Sequence, residues 1–488
     1  MEAESASILT ILLASVLVLI LPGFVWLTWL APQRKDLASR LAQAIGLSLA
    51  LNALLAEAAF LLGLSPDTGV LALFYLVLGA LALTSSALAL RKIYYQRQVV
   101  RRQLEGNILD APPQTAWWQS PIFISLMVIL GLAALIFWRF YQARDLPLPP
   151  WVDPLHHVLI VRLILENQGL PATFDPYMPV PFYYHFGFHI NAALFSLFSR
   201  LPVEQAVLVL GQILNAAVAL SVYRLGIALW SDWRRAAIAG LMVGFVSQMP
   251  AYYLTWGRYT LLAGLVVLPL AMAASVELFR FGWRRERVAR LAVLTAGLLL
   301  THYIAAVILA VFLLIGLGYS FFARRYFEPE AGWMGAWFGV IGGAAAGFLL
   351  AAPWLVRVWT IADAYTSVVT VPLDASLDNV YFGGYLPYLL FLLGPTRNYV
   401  LLGLAAAGLV AGSWRRRSIP LLLWTVALLL LSSPWGPRVD PIRPDHVVII
   451  LFLPMALLIA DGFVVIWDWL AMRGYGRPAG IATGLVVL

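Results

Sequence analysis

Long apolar runs separated by short, arginine-bearing breaks constrain this chain more than any motif in it. Ile8 to Leu30, Leu41 to Gly63, Val70 to Leu90 and Pro121 to Tyr141 each reach the roughly 20 residues that a helix needs to cross a hydrocarbon core. Composition agrees: 62% of residues are hydrophobic, 11% are charged and mean hydropathy is +0.86, which leaves too little polar surface for a soluble globule. The chain is read as an all-α polytopic membrane protein of about 13 spans. The first run lacks the basic start and small-residue cleavage site of a signal peptide, so it is kept as a span. The absence of Cys excludes disulfides, thiolate nucleophiles and Cys-ligated metals. The net charge of +8 comes from arginines scattered through short loops, a pattern that orients a membrane protein and does not form a nucleic-acid surface.

Basic residues set the expected topology. Arg34, Lys35 and Arg40 follow the first run, and Arg91, Lys92, Arg97, Arg101 and Arg102 follow the third. Both groups face the cytoplasm only if the N-terminus is outside. The fourth run then delivers the segment Trp151 to Asn191 to the extracytoplasmic face. Phe186 to Phe198 is too short to cross and is read as a juxtamembrane or half-buried helix, which makes Val203 to Trp230 run inward to Arg234 and Arg235. Ala236 to Leu254 rises to an outer turn at Trp256-Gly257-Arg258, and Tyr259 to Phe279 returns. Leu291 to Phe322 is expected to be a hairpin bent near Thr301-His302-Tyr303. Four further runs complete the layout, with outer loops over 357–398 and 435–446. Gly480 to Leu488 reads as the start of another span, so the chain is expected to continue. Glu57, inside the second run, receives no catalytic role.

Polar chemistry concentrates in Trp151 to Asn191. Asp153, His156 and His157 stand at i, i+3 and i+4, as do His185 and His189 at i and i+4, spacings that share a helical face. Asp153 fits two roles, a helix N-cap or a proton acceptor. All six His, including His302 and His446, fall on or near the outer face in this topology. One class of function is a metalloenzyme with Asp153, His156, His157, His185 and His189 around a divalent ion such as Mg, Mn or Zn, although no HExxH spacing supports it. Another is a transporter, which predicts inverted repeats that the sequence does not display.

The order of features also resembles a known family. An Asp at the end of a first core span, Pro181-Phe182-Tyr183-Tyr184-His185 leading to a short apolar helix, and Leu201-Pro202 opening a span that ends in Arg-Arg are similar to the first outer loop of the C-type glycosyltransferases, the GT-C superfamily. Trp256-Gly257-Arg258 and the break at Thr301-His302-Tyr303 extend the likeness over roughly residues 120 to 470. Many members carry two adjacent acidic residues where this chain has Asp153 followed by Pro-Leu-His-His. The resemblance implies a GT-C-like helical core over 120–488, with a catalytic outer loop over 142–203, behind a three-span N-terminal extension over 1–119. It implies inverting transfer of a sugar from a polyprenyl-phosphate or diphosphate donor to a glycan, lipid or protein acceptor, outside a prokaryotic plasma membrane, for cell-envelope synthesis, with no cofactor required. Asp153 would be the general base. Arg258, His302, Arg438, Arg443 and His446 would bind the donor phosphate, and His156, His157, Tyr183, Tyr184, His185 and His189 would wall the cavity.

Overall fold

The computed structural model describes residues 7–30, 36–106, 120–323, 332–365, 384–394, 398–415, 418–437 and 442–473. In chain order the helices begin with α1 (Ile8–Leu19), α2 (Leu21–Leu30), α3 (Leu37–Leu61), α4 (Thr68–Gly106), α5 (Pro121–Ala143) and α6 (Asp153–Glu166). A small antiparallel hairpin follows, β1 (Thr173–Phe174) with β2 (Met178–Pro181). Then come α7 (Gly187–Ser199), α8 (Val203–Trp230), α9 (Trp233–Leu241), α10 (Gln248–Ala251), α11 (Tyr253–Trp256), α12 (Tyr259–Phe281), α13 (Arg285–Thr301) and α14 (Tyr303–Phe322). The chain ends with α15 (Trp333–Tyr365), α16 (Tyr385–Leu393), α17 (Asn398–Ser413), α18 (Ile419–Ser432), α19 (Pro444–Val448) and α20 (Phe452–Met472). Among the described residues nine helical segments are long and apolar enough to span a membrane. The shorter α9, α13, α17 and α18 lie among them. This is the helical polytopic fold expected from the apolar runs.

Helix α12 is buried all round and forms the axis of the bundle, with α8, α13 and α14 around it. Close crossings are made by small residues. A Cβ on Gly408 of α17 would stand 1.9 Å from the Leu458 carbonyl oxygen of α20, and one on Gly462 of α20 would stand 2.2 Å from that of Leu404. Prolines inside spans free backbone groups that other helices then satisfy. Pro22 cannot bond the Val18 carbonyl, which accepts from Asn52 Nδ2 of α3 at 3.1 Å. Near Pro353 in α15, the Trp354 amide donates instead to Glu57 Oε1 at 3.0 Å. Glu57 thus ties α3 to α15.

The two short-helix expectations fare differently in detail. Helix α7 does not cross: α8 begins beside α6, where Arg162 pairs with Glu204, and Gly211 of α8 lies against Tyr259 at the start of α12. Yet α7 is fully sunk into the protein, because Asn191 donates to the Leu49 carbonyl at 3.1 Å and accepts from Asn52 Nδ2 at 2.9 Å, near the middle of α3. The hairpin at Thr301-His302-Tyr303 is present. Ala305 lies against Gly264 and Gly316 against Phe279, so α14 runs back along α12, antiparallel to α13.

Two expectations need correction. Ala236 to Leu254 is no single helix: α9 passes through a π-helical turn at Met242–Val246 and breaks at the extended Ser247, and inside α10 Met249 is extended again ahead of Pro250. The Gly244 carbonyl is taken by the buried Arg139 Nη2 at 2.6 Å. The stretch 357–398, expected to be a loop, is partly helical, since α15 continues to Tyr365 and α16 lies within it; residues 366–383, with Asp374 and Asp378, are outside the described residues. Within the N-terminal segment, α3 packs directly on α7, α8, α12 and α13.

At the end of the bundle opposite α6, Arg235 and Arg290, expected in loops, are instead buried in ion pairs, together with Arg224 of α8. Glu277 accepts from Arg224 and, at 2.9 Å, from Arg290, which also donates to Gln43 at 2.7 Å. Asp461 accepts from Arg235 at 2.7 Å and Arg415 at 2.5 Å.

Candidate active site

The turn Trp256-Gly257-Arg258 lies directly on the start of α6. Gly257 has φ +60°, and a Cβ there would stand 2.0 Å from Pro154 Cγ and 3.1 Å from the Pro150 carbonyl oxygen. Only glycine meets both the left-handed backbone and this approach. The contact sets Arg258 Nε 3.8 Å from Asp153 Oδ2. Asp153 is not the helix N-cap; Val152 holds that position with no side-chain cap bond. The carboxylate is 47% exposed and the guanidinium 32%, and Arg258 also covers the Trp256 ring at 4.8 Å. At that distance and exposure the pair contributes little stability, so both groups are open to a ligand.

Behind the pair stands a layer of rings. His157 Nδ1 and His189 Nε2 are 3.0 Å apart and join α6 to α7. Tyr184 is stacked on His185 at 4.0 Å and feels the charges of both Asp153 and Arg258. The His185 ring lies 5.0 Å from that of His302, which sits in extended backbone between α13 and α14. Arg258 also acts electrostatically on His302 and His446. Arg357 of α15 holds the β-hairpin in place, donating to the carbonyls of Phe182 at 3.2 Å and Ala172 at 2.8 Å.

Of the residues singled out in the sequence, the fold therefore gathers Asp153, His157, Tyr184, His185, His189, Arg258, His302 and His446 at one face. It leaves out His156, which is exposed on the outer side of α6, and Tyr183, which is 38% exposed and packs on Phe174. The shared face read from the spacing of Asp153, His156 and His157 fails because His156 and His157 are successive and point about 100° apart. Arg443 pairs with Asp445 at 3.1 Å, and His446 Nε2 is 3.7 Å from the same carboxylate. Arg438 lies outside the described residues. Sequence reading missed Tyr253 and Tyr303, whose buried hydroxyls lie at the ends of the Trp256-Gly257-Arg258 and Thr301-His302 features and were signalled only by that adjacency.

The proposed metal ligands do not fit. Among the described residues no three His, Cys, Asp or Glu side chains converge as a metal site. His156 faces outward, His157 and His189 are bonded to each other, and His185 is turned toward His302 and Tyr303.

Burial pushes the His157 imidazole down to about 3, with His156 adding to the effect. His185 is held well below the usual imidazole range by burial and then by the neighbouring His302, His189 and His157. Both are neutral at pH 7. The unfolded chain takes up a proton near pH 6.5 that folded His157 refuses until about pH 3. Stability is therefore complete above pH 6.5 and falls as pH drops through that window, by about 1.4 kcal/mol per pH unit for one such group. Melting temperature in detergent is expected to fall from pH 7.5 to pH 5 and to fall less steeply in His157→Asn. A flat or rising profile in the wild type would contradict the buried neutral pair.

Fold and site together define a helical polytopic membrane protein with a half-open carboxylate–guanidinium pair at one end of its bundle. The chain belongs to the family of unknown function DUF6541, whose profile matches residues 16–487. No curated protein matches the sequence. Among solved structures, the archaeal oligosaccharyltransferase AglB from Archaeoglobus fulgidus, in complex with an inhibitory peptide and a dolichol-phosphate, is similar at TM-score 0.47 and 16% identity, over 75% of this chain and 52% of that one. An apo oligosaccharyltransferase from Archaeoglobus fulgidus is similar at TM-score 0.46 and 13% identity, over 75% and 53%. This chain spans about half the length of either.

Proposed function

We propose that this protein is a membrane glycosyltransferase that moves a sugar, with inversion, from a polyprenyl-phosphate or diphosphate donor to an acceptor at the extracytoplasmic face. The observation that carries the reading is the meeting of Asp153 and Arg258, half-exposed and 3.8 Å apart, at one end of the bundle. In the reaction, Asp153 takes the proton of the acceptor hydroxyl as its oxygen bonds to the anomeric carbon. The bond from that carbon to the phosphate oxygen breaks, and Arg258 meets the charge left on the lipid phosphate. Each group thus acts on charge that develops in the transition state, Asp153 at the acceptor oxygen and Arg258 at the departing phosphate. The resemblance of the outer loop to the C-type glycosyltransferases supports the same assignment.

The test is transfer by purified protein in liposomes from farnesyl-phosphate glucose, mannose or arabinose, read as release of farnesyl phosphate together with a glycosylated acceptor. Release of sugar to water at the same rate without acceptor, or no turnover with any donor, would count against transfer.

A further inference from the structure

Buried polar atoms without hydrogen-bond partners collect around the break between α13 and α14. His185 Nε2, His302 Nδ1 and the Tyr303 hydroxyl lack partners among the described residues. Tyr303 lies against the Trp354 indole nitrogen, but the two stand outside hydrogen-bond geometry. The groups form one cluster, with the His185 ring edge-on to His302 at 5.0 Å and to Tyr303 at 5.2 Å. Packing holds the cluster in place. A Cβ on Gly187 would stand 2.2 Å from Thr301 Oγ1, and one on Gly264 would stand 3.2 Å from His302 Cβ, so the break cannot slide toward α7 or α12.

Buried polar atoms are rarely left unpaired, and several in one place mark a position that something else satisfies. The chemistry of the three narrows what that is. A neutral imidazole nitrogen donates or accepts one hydrogen bond and a phenol does both, so the set suits a neutral group with mixed donors and acceptors. An anion would be drawn to the guanidinium of Arg258 instead. Tyr184 links the cluster to the reacting pair, since it is stacked on His185 and lies within the fields of Asp153 and Arg258.

We propose that His185, His302 and Tyr303 form a neutral subsite for hydroxyl groups of the sugar carried by the donor lipid. This rests on the glycosyl-transfer reading and moves His302 from the phosphate to the sugar.

Tyr303→Phe removes one oxygen and keeps the ring, and His302→Asn provides a second variant. The probes are bare farnesyl phosphate and farnesyl phosphate bearing glucose, mannose or arabinose, with binding measured by calorimetry in detergent. The expected result is binding of the preferred sugar lipid weakened about tenfold in each variant, with binding of farnesyl phosphate unchanged. The melting temperature of Tyr303→Phe is expected not to fall, because no bond within the protein is lost. Equal weakening for both kinds of probe would make this a phosphate site and overturn the proposal. Unchanged binding of every probe in both variants, or a lowered melting temperature in Tyr303→Phe, would show that buried water or the protein itself satisfies these atoms. No turnover of any of the three sugar lipids by wild-type protein that still binds them would instead bring down the glycosyl-transfer reading.

Discussion

Asp153→Asn is expected to lower the turnover of sugar transfer by about 10²- to 10⁴-fold, the range a positioned general base supplies. The amide keeps the size and place of the carboxylate at the first turn of α6 but cannot take the acceptor proton. Donor binding should change little, because the phosphate is assigned to Arg258, so the loss should appear in kcat and spare KM. Arg258→Met should weaken the donor as well. Since Arg258 stands 3.8 Å from Asp153, the two changes share an interaction and their effects should not add. Full activity in Asp153→Asn would remove Asp153 as base, whatever the fate of Arg258.

The largest effect on stability is expected at the other end of the bundle, from Glu277→Ala. Glu277 and Arg224 are 2% and 1% exposed and Arg290 is 7%, so two guanidinium groups share a carboxylate inside the protein. Removing that carboxylate leaves buried positive charge behind and should cost about 3–5 kcal/mol. Loss of folded protein or a large drop in melting temperature in detergent would show it. Replacing all three, with Arg224→Met, Glu277→Leu and Arg290→Met, should recover much of the loss, because no unpaired charge then remains. If Glu277→Ala alone melts like the wild type, the cluster is solvated and contributes little.

Much of the local architecture was legible along the chain. The length of Phe186 to Phe198 excluded a crossing, and the run Leu291 to Phe322 was read as a hairpin bent near His302; the structure has both the short α7 and the α13–α14 hairpin. Spacing within one helix was less informative. It placed His156 beside His157, yet one is exposed and the other buried, because successive residues on a helix point about 100° apart. Apolar patterning had the same limit. The membrane-spanning parts of α4 and α12 have equal mean hydropathy, yet α4 is largely exposed and α12 is enclosed. Lipid and protein interior solvate an apolar side chain about equally well, so hydropathy cannot separate them.

Sequence by itself therefore determined that this chain is a bundle of membrane helices, where most of those helices turn, and which segment holds Asp153 and four of the six histidines. Those features follow from local rules of length, hydropathy and charge. Only the tertiary structure decided that Gly257 lies on Pro154 and so brings Arg258 to Asp153, that α3 belongs to the core, and that Arg224, Arg235 and Arg290 are buried in ion pairs. Each of these depends on a contact between residues far apart in the chain, where partner choice is set by packing of whole helices and leaves no periodic trace in the sequence.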